Sequence, residues 1–263
     1  MNSADRLLAV LSLFNEARPF WTVEEAAASL NVSVSTAYRY FRSLCKAGLL
    51  DPVIGNGYRL GPGIIEYDRL IQLTDPMIAV ARPILDKLQA DGEGEVIAIL
   101  CRLYRERVMC VLEAKGAEPL PNISYERGRP MPMFKGATSK IILAQFPSKT
   151  LKRLYDRHFS MIANSGLGND WNEFREILKE IRRKGHHVSE GEIDPGRVGI
   201  AAPIFNKDKD VLGSVSVVCS SKTTNYASVN RLIGLTMAAA KNITASLGSD
   251  DGKLANTTTR VVA

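Results

Sequence analysis

The sequence predicts an α+β protein in two parts: an N-terminal winged helix-turn-helix over residues 1–61 and a larger domain over residues 76–247 with an antiparallel sheet flanked by helices. A linker helix over residues 62–75 joins them, and residues 248–263 form a tail. Three observations carry this. Apolar residues recur at helical spacing up to Leu44, then at strand spacing in several runs beyond Gly92. A hairpin signal, Gly55-Asn56-Gly57, follows two short helical patterns. Gly61-Pro62-Gly63 then breaks the chain.

Ser3 opens a first helix whose Leu7, Val10, Leu11 and Phe14 share one face, and Pro19 with Phe20-Trp21 ends that section. Thr22 with Glu25 three residues later is a capping box, so a second helix starts there. Only Asn31 and Val32 separate it from a third, which Ser33 can cap and Gly48 can stop. Short extended pieces at 49–53 and 58–60 flank the Asn-Gly turn. Residues 64–73 read as the linker helix. Asp75-Pro76 looks like a cap with Pro at the first helical position, opening a helix to about Ala90 with a kink expected at Pro83. Strands are predicted at 96–103 and 107–113 as an antiparallel pair, and at 186–190, 197–205 and 211–219. Helices are predicted at 138–146, 148–158, 172–184 and 228–247. From Gly248 the chain has little to bury, and disorder is expected.

No apolar run approaches the roughly 18 residues that span a bilayer, and Asp5 and Arg6 interrupt what a signal peptide would need. A cytoplasmic location without membrane association is expected. Cys45, Cys101, Cys110 and Cys219 are scattered among apolar neighbours, which predicts buried thiols rather than disulfides or zinc ligands. The net charge of +6 does not mark out the first part: residues 1–75 balance at −1 and the remainder at +7. Local placement is more telling. In the third helix Ala37, Tyr40, Phe41 and Leu44 form an apolar stripe. Ser35, Arg39, Arg42 and Lys46 lie opposite, with Thr36 and Tyr38 at the edge and no carboxylate among them. A helix entering the major groove of a DNA duplex needs such a face. Arg39 is the candidate for a base contact, since Arg pairs bidentately with guanine. Ser35, Thr36, Tyr38, Arg42 and Lys46 are candidates for phosphates. Arg59 on the wing is read equally as a contact to the adjacent backbone or minor groove and as plain surface charge.

From Ser3 to Leu247 the chain resembles the IclR family of bacterial transcriptional regulators. The matching pieces are VEEAAASLNVSVSTAYRYFRSLCKAGLL (23–50), YRLGP (58–62), PMFKGATSKIILA (132–144), GHHVSEGEIDPGRVGIAAP (185–203) and LGSVSVV (212–218). The resemblance implies a dimeric or tetrameric DNA-binding repressor or activator. It also implies that the C-terminal domain has a GAF- or profilin-like fold and binds a small effector, commonly an organic acid, with no cofactor. By position, Leu120, Ile123 and Met131 correspond to apolar wall residues, and Ala137 and Thr138 to the stretch whose amides face the ligand. Ser189, Gly199, Ser216 and Val218 fall where relatives often place Asp, Cys, Ser and Ser. Only Ser216 keeps the residue type, and Ser139 replaces the usual Gly before Lys140. Fewer donors suit a bulkier or more apolar ligand than a compact two-carbon acid.

His186-His187 with Glu190, Glu192 and Asp194 superficially suggests a metal cluster. In an extended segment His186 and Glu190 could converge while His187 could not join them, so no metal is expected. No GxSxG motif or Ser-His-Asp group is seen, and the glycine runs lack dinucleotide-loop spacing, so no catalytic residue is assigned. Two other readings fit the residues: a constitutive DNA-binding protein with a degenerate sensor pocket, or a small-molecule-processing enzyme with a docking module.

Overall fold

A computed structural model describes residues 2–55, 57–116 and 123–249. The chain divides into two compact units, one up to Asp75 and one from Pro76 onward.

In the first unit α1 spans Ser3–Ala9 and is capped by Asn2, whose side chain accepts from the Asp5 amide at 2.8 Å. It gives way to a 3-10 turn at Leu11–Leu13 rather than continuing to Phe14, yet Val10 is fully buried and Leu7, Leu11 and Phe14 pack against the same cluster. α2 (Val23–Leu30) begins with the Thr22–Glu25 capping box, and Asn31 ends it in the left-handed region at φ 52°. α3 (Val34–Lys46) starts where the Ser33 hydroxyl accepts from the Thr36 amide. It ends in a Schellman turn: the Gly48 and Leu49 amides donate to the Cys45 and Leu44 carbonyls, with Gly48 at φ 70°.

β1 (Leu50–Val53) pairs antiparallel with β2 (Gly57–Leu60), forming the expected wing, although Asn56 lies outside the described residues. Tyr58 exchanges both backbone hydrogen bonds with Trp21. Its N–H and C=O therefore point away from Pro52, its partner in β1, and the proline's missing donor costs the ladder nothing. The Phe41 and Tyr58 rings meet edge-on at 4.8 Å, fixing the wing against α3. α4 (Gly63–Thr74) completes the unit.

The second unit is a six-stranded antiparallel sheet in the order β5-β4-β3-β8-β7-β6, with β3 Val96–Tyr104, β4 Arg107–Lys115, β5 Pro130–Pro132, β6 His187–Glu190, β7 Arg197–Phe205 and β8 Val211–Ser220. The helices are α5 (Pro76–Gly92), α6 (Ala137–Leu143), α7 (Ser148–Ala163), α8 (Trp171–Lys184) and α9 (Tyr226–Ser249). Period-two alternation divides the buried residues between two faces. Ile97, Ile99, Cys101 and Val218 join one core with residues of α6, α7 and α8. Val96, Ala98, Leu100, Ile200 and Val217 join the other with α5 and α9.

Several expectations need correction. β5 was not anticipated: it is a three-residue edge strand containing two prolines, too short for a periodic signal. α5 ends at Gly92, two residues beyond the expected end, with Pro83 inside it as expected. α7 breaks at His158, the expected end, where the backbone is non-helical (φ −124°), and a further helical stretch to Ala163 that was not anticipated follows the kink. α9 includes Gly248 and Ser249, and the rest of the expected disordered tail lies outside the described residues.

Candidate functional site

Two places gather the predicted residues. The first is the outer face of α3. Its apolar stripe is buried as expected, with Ala37 and Phe41 at 0% exposure. That fixes the rotation of the helix and sends Ser35, Tyr38, Arg39, Arg42 and Lys46 to solvent. None of the three cations has a carboxylate partner among the described residues. Thr36 is half-buried, and its hydroxyl is engaged with Ser33 Oγ at 2.8 Å, so it belongs to the helix cap. Arg59 is placed differently from the helix cations. It stands opposite Asp51 in the wing ladder and donates from Nε and Nη2 to the Asp51 carboxylate at 3.2 and 3.0 Å. The one cation expected of the wing is therefore neutralised within the hairpin.

The second place lies where α6 rests on the sheet. The register Ser189↔Gly199↔Val218↔Ile97 runs across β6, β7, β8 and β3, and Ser216 lies two residues along on the same face. A Cβ on Gly199 would approach Ser189 Oγ to 3.3 Å and the Ala137 side chain to 3.7 Å, so the absent side chain leaves α6 room to sit down. A cavity of about 20 Å³, enough for about one water, is lined by Ala137, Thr138, Ser189, Gly199 and Val218. These are five of the nine residues expected to hold an effector. Ser216 sits just behind, its hydroxyl hydrogen-bonded to Thr138 Oγ1 at 3.0 Å. Met131 is buried in the adjoining core and Ile123 packs on it. Leu120 lies outside the described residues.

The remaining lining residues, Tyr125, Glu192, Ile193, Asp194 and Arg197, were not among the expected ones. The segment carrying Glu192 and Asp194 was noticed in the sequence only for its superficial metal-like charges. In the structure those carboxylates serve backbone and ammonium partners instead. Glu192 accepts from the Gly136 amide at 2.9 Å and from Lys140 Nζ at 2.8–2.9 Å. Lys140 is itself buried and also donates to the Ser165 carbonyl at 3.0 Å. The Ser189 hydroxyl accepts from the Ala137 amide at 2.9 Å. Asp194 accepts from the Ser124 amide and hydroxyl at 2.9 and 2.5 Å. Two amides expected to face a ligand's oxygens, or to adjoin those that do, are thus occupied by the chain's own side chains.

His187 lies on the same sheet face, two residues before Ser189. Burial lowers its pKa to about 4, helped by the Lys140 charge and, less, by His186 and Lys184, with Glu192 opposing. Its Nε2 is buried without a partner among the described residues. A folded value below the unfolded 6.5 means that the unfolded chain binds the proton first. Stability is then fully present above about pH 6.5 and falls as pH drops toward 4, by on the order of 2–3 kcal/mol. Acid-urea titrations should show this loss in the wild type, with a flatter profile between pH 6.5 and 4 for His187→Gln. His186 instead turns its Nδ1 to the Lys184 carbonyl at 3.1 Å. No group of three or more His, Cys, Asp or Glu side chains is placed to hold a metal ion among the described residues.

The two units match two family models. The IclR helix-turn-helix domain covers residues 3–53, and the bacterial transcriptional regulator IclR C-terminal domain covers residues 73–245. The regulator KipR of Bacillus subtilis is 23% identical over 210 residues, covering 80% of this chain and 82% of its own. The fold matches an IclR transcriptional regulator from Alicyclobacillus acidocaldarius at a TM-score of 0.75 and 24% identity, over 94% of this chain and 98% of that one. It also matches an IclR homologue from Microbacterium hydrocarbonoxydans, crystallised with 4-hydroxybenzoate, at a TM-score of 0.72 and 20% identity, over 94% and 99% of the chains.

Proposed function

The chain belongs to the IclR family of bacterial transcriptional regulators, and from that premise we propose that it reads an operator with the outer face of α3 and alters its grip when a small organic acid enters the α6 cavity. The observation that carries the DNA reading is the exposed, carboxylate-free row Ser35, Tyr38, Arg39, Arg42 and Lys46 on a helix whose other face is locked in the core. Thr36 and Arg59 contribute less, one spent on the cap and the other on Asp51.

The effector reading rests on the cavity beneath α6. The homologue holding 4-hydroxybenzoate supports an acid of aromatic size. So does the make-up of this cavity, where Gly199 and Val218 supply no donor side chains. Tight binding of a compact acid such as glyoxylate would contradict it. The relatives' naming as transcriptional regulators favours a non-enzymatic protein, and the DNA-binding family a cytoplasmic one.

The working form is a homo-oligomer. α4 buries none of its residues, and Ile64, Ile65, Tyr67, Leu70, Ile71 and Leu73 remain exposed along it. A second copy of the same helix would cover this apolar surface. Such a dimer would present two α3 helices to half-sites about one helical turn apart, roughly 34 Å. Mobility-shift assays on the promoters of its own and neighbouring genes test the reading. Specific retardation is expected, at a stoichiometry of two or four chains per site. Equal retardation of unrelated DNA would overturn it.

A further inference from the structure

We propose that Tyr125 is the polar anchor of the effector cavity, its hydroxyl donating to an acceptor oxygen of the ligand. The proposal rests on the effector reading above and adds to it the residue that selects the ligand's chemistry.

Four observations lead there. Tyr125 is 5% exposed and lines the cavity, yet its Oη has no hydrogen-bond partner among the described residues. Leaving a buried hydroxyl unpaired is unfavourable, so such a group calls for an external partner. Arg197 also lines the cavity, and four other polar groups there are already taken. Thr138 Oγ1 pairs with Ser216, Ser189 with the Ala137 amide, Glu192 with Lys140 and the Gly136 amide, and Asp194 with Ser124.

The place of the hydroxyl is built into the backbone. Gly136 sits at φ 78°, and a Cβ there would lie 2.4 Å from Tyr125 Oη. A side chain at 136 would therefore push the phenol out of its place. Finally, the phenol stays neutral. Burial pushes its pKa up strongly, with Cys101, Asp194 and Glu192 adding to the effect; the nearby Thr138 hydroxyl opposes it but is not in hydrogen-bond geometry with Oη and pairs with Ser216 instead. A neutral phenol is a hydrogen-bond donor, and it matches a carboxylate or carbonyl oxygen.

The cavity holds about one water, so a larger ligand must displace part of its lining, to which the irregular segment between Gly191 and Gly196 contributes Glu192, Ile193 and Asp194. Asp194 in that segment is tied to Ser124, the residue before Tyr125. A ligand on Oη therefore acts next to the tie that holds the segment down.

Tyr125→Phe removes the hydroxyl and keeps the ring. Calorimetric melting and titration of the full chain with 4-hydroxybenzoate, benzoate and pyruvate test the proposal. The variant should melt within about 2 °C of the wild type or above it. It should also bind whichever of these acids the wild type binds at least about 10-fold more weakly. A clear fall in melting temperature would show that the hydroxyl is used inside the fold and would overturn the proposal. So would equal affinity in the two proteins, which leaves the acid-effector reading standing. A wild type that binds none of the three acids overturns both together.

Discussion

Arg39→Ala should weaken operator binding about 5–150-fold, the 1–3 kcal/mol of a bidentate contact to a base, and should relax sequence preference at one position of each half-site. Arg39 is exposed in the middle of the α3 face, on a helix that the buried Ala37, Tyr40, Phe41 and Leu44 hold in one rotation. Arg42→Ala and Lys46→Ala should behave differently. Each should weaken specific and non-specific DNA alike and lower the slope of log affinity against log salt by about 0.9 per phosphate lost. The wing gives a test of opposite sign. Asp51 neutralises Arg59, so Arg59→Ala should change little, whereas Asp51→Asn should free the guanidinium and tighten binding. Anisotropy titrations at several salt concentrations read all five variants.

Lys140→Ala should destabilise the second unit by about 3–5 kcal/mol, because it strands the Glu192 carboxylate beside the Gly136 amide with no ammonium to balance it. The pair is buried on the lysine side, with the Lys140 side chain at 5% exposure against 27% for Glu192. Removing both charges together, as Lys140→Met with Glu192→Leu, should recover most of that loss. Calorimetry of the two variants separates these outcomes, since the second unit has its own core. A Lys140→Ala protein as stable as wild type would mean that Glu192 is held by backbone alone.

Local chemistry made the first unit legible. The Thr22–Glu25 box, the Ser33 cap, the Gly48 stop and the Asn-Gly hairpin signal each act within a few residues, and they set helix ends and wing within one or two positions. Strands β7 and β8 were similarly plain, as long apolar runs bounded by a polar turn. Features set by distant partners were not legible. β5 exists only because Arg107 to Met109 offers it an edge. The pairing of Arg59 with Asp51 depends on strand register, which spacing alone leaves open. In the cavity, Ser189, Gly199 and Val218 could be placed by resemblance because they sit on strands. Tyr125, Glu192 and Asp194 come from irregular segments brought in by tertiary contacts, so no periodicity marks them.

The central claim is that occupancy of the second unit controls DNA affinity of the first. The most direct measurement is an anisotropy titration of labelled operator with and without an acid that calorimetry shows to bind the chain. The account predicts a shift in operator affinity of about 5–150-fold, the 1–3 kcal/mol typical of coupled sites. By reciprocity, operator should change the affinity for the acid by the same factor. An acid that binds stoichiometrically, is weakened by Tyr125→Phe, and yet leaves operator affinity unchanged would contradict the account.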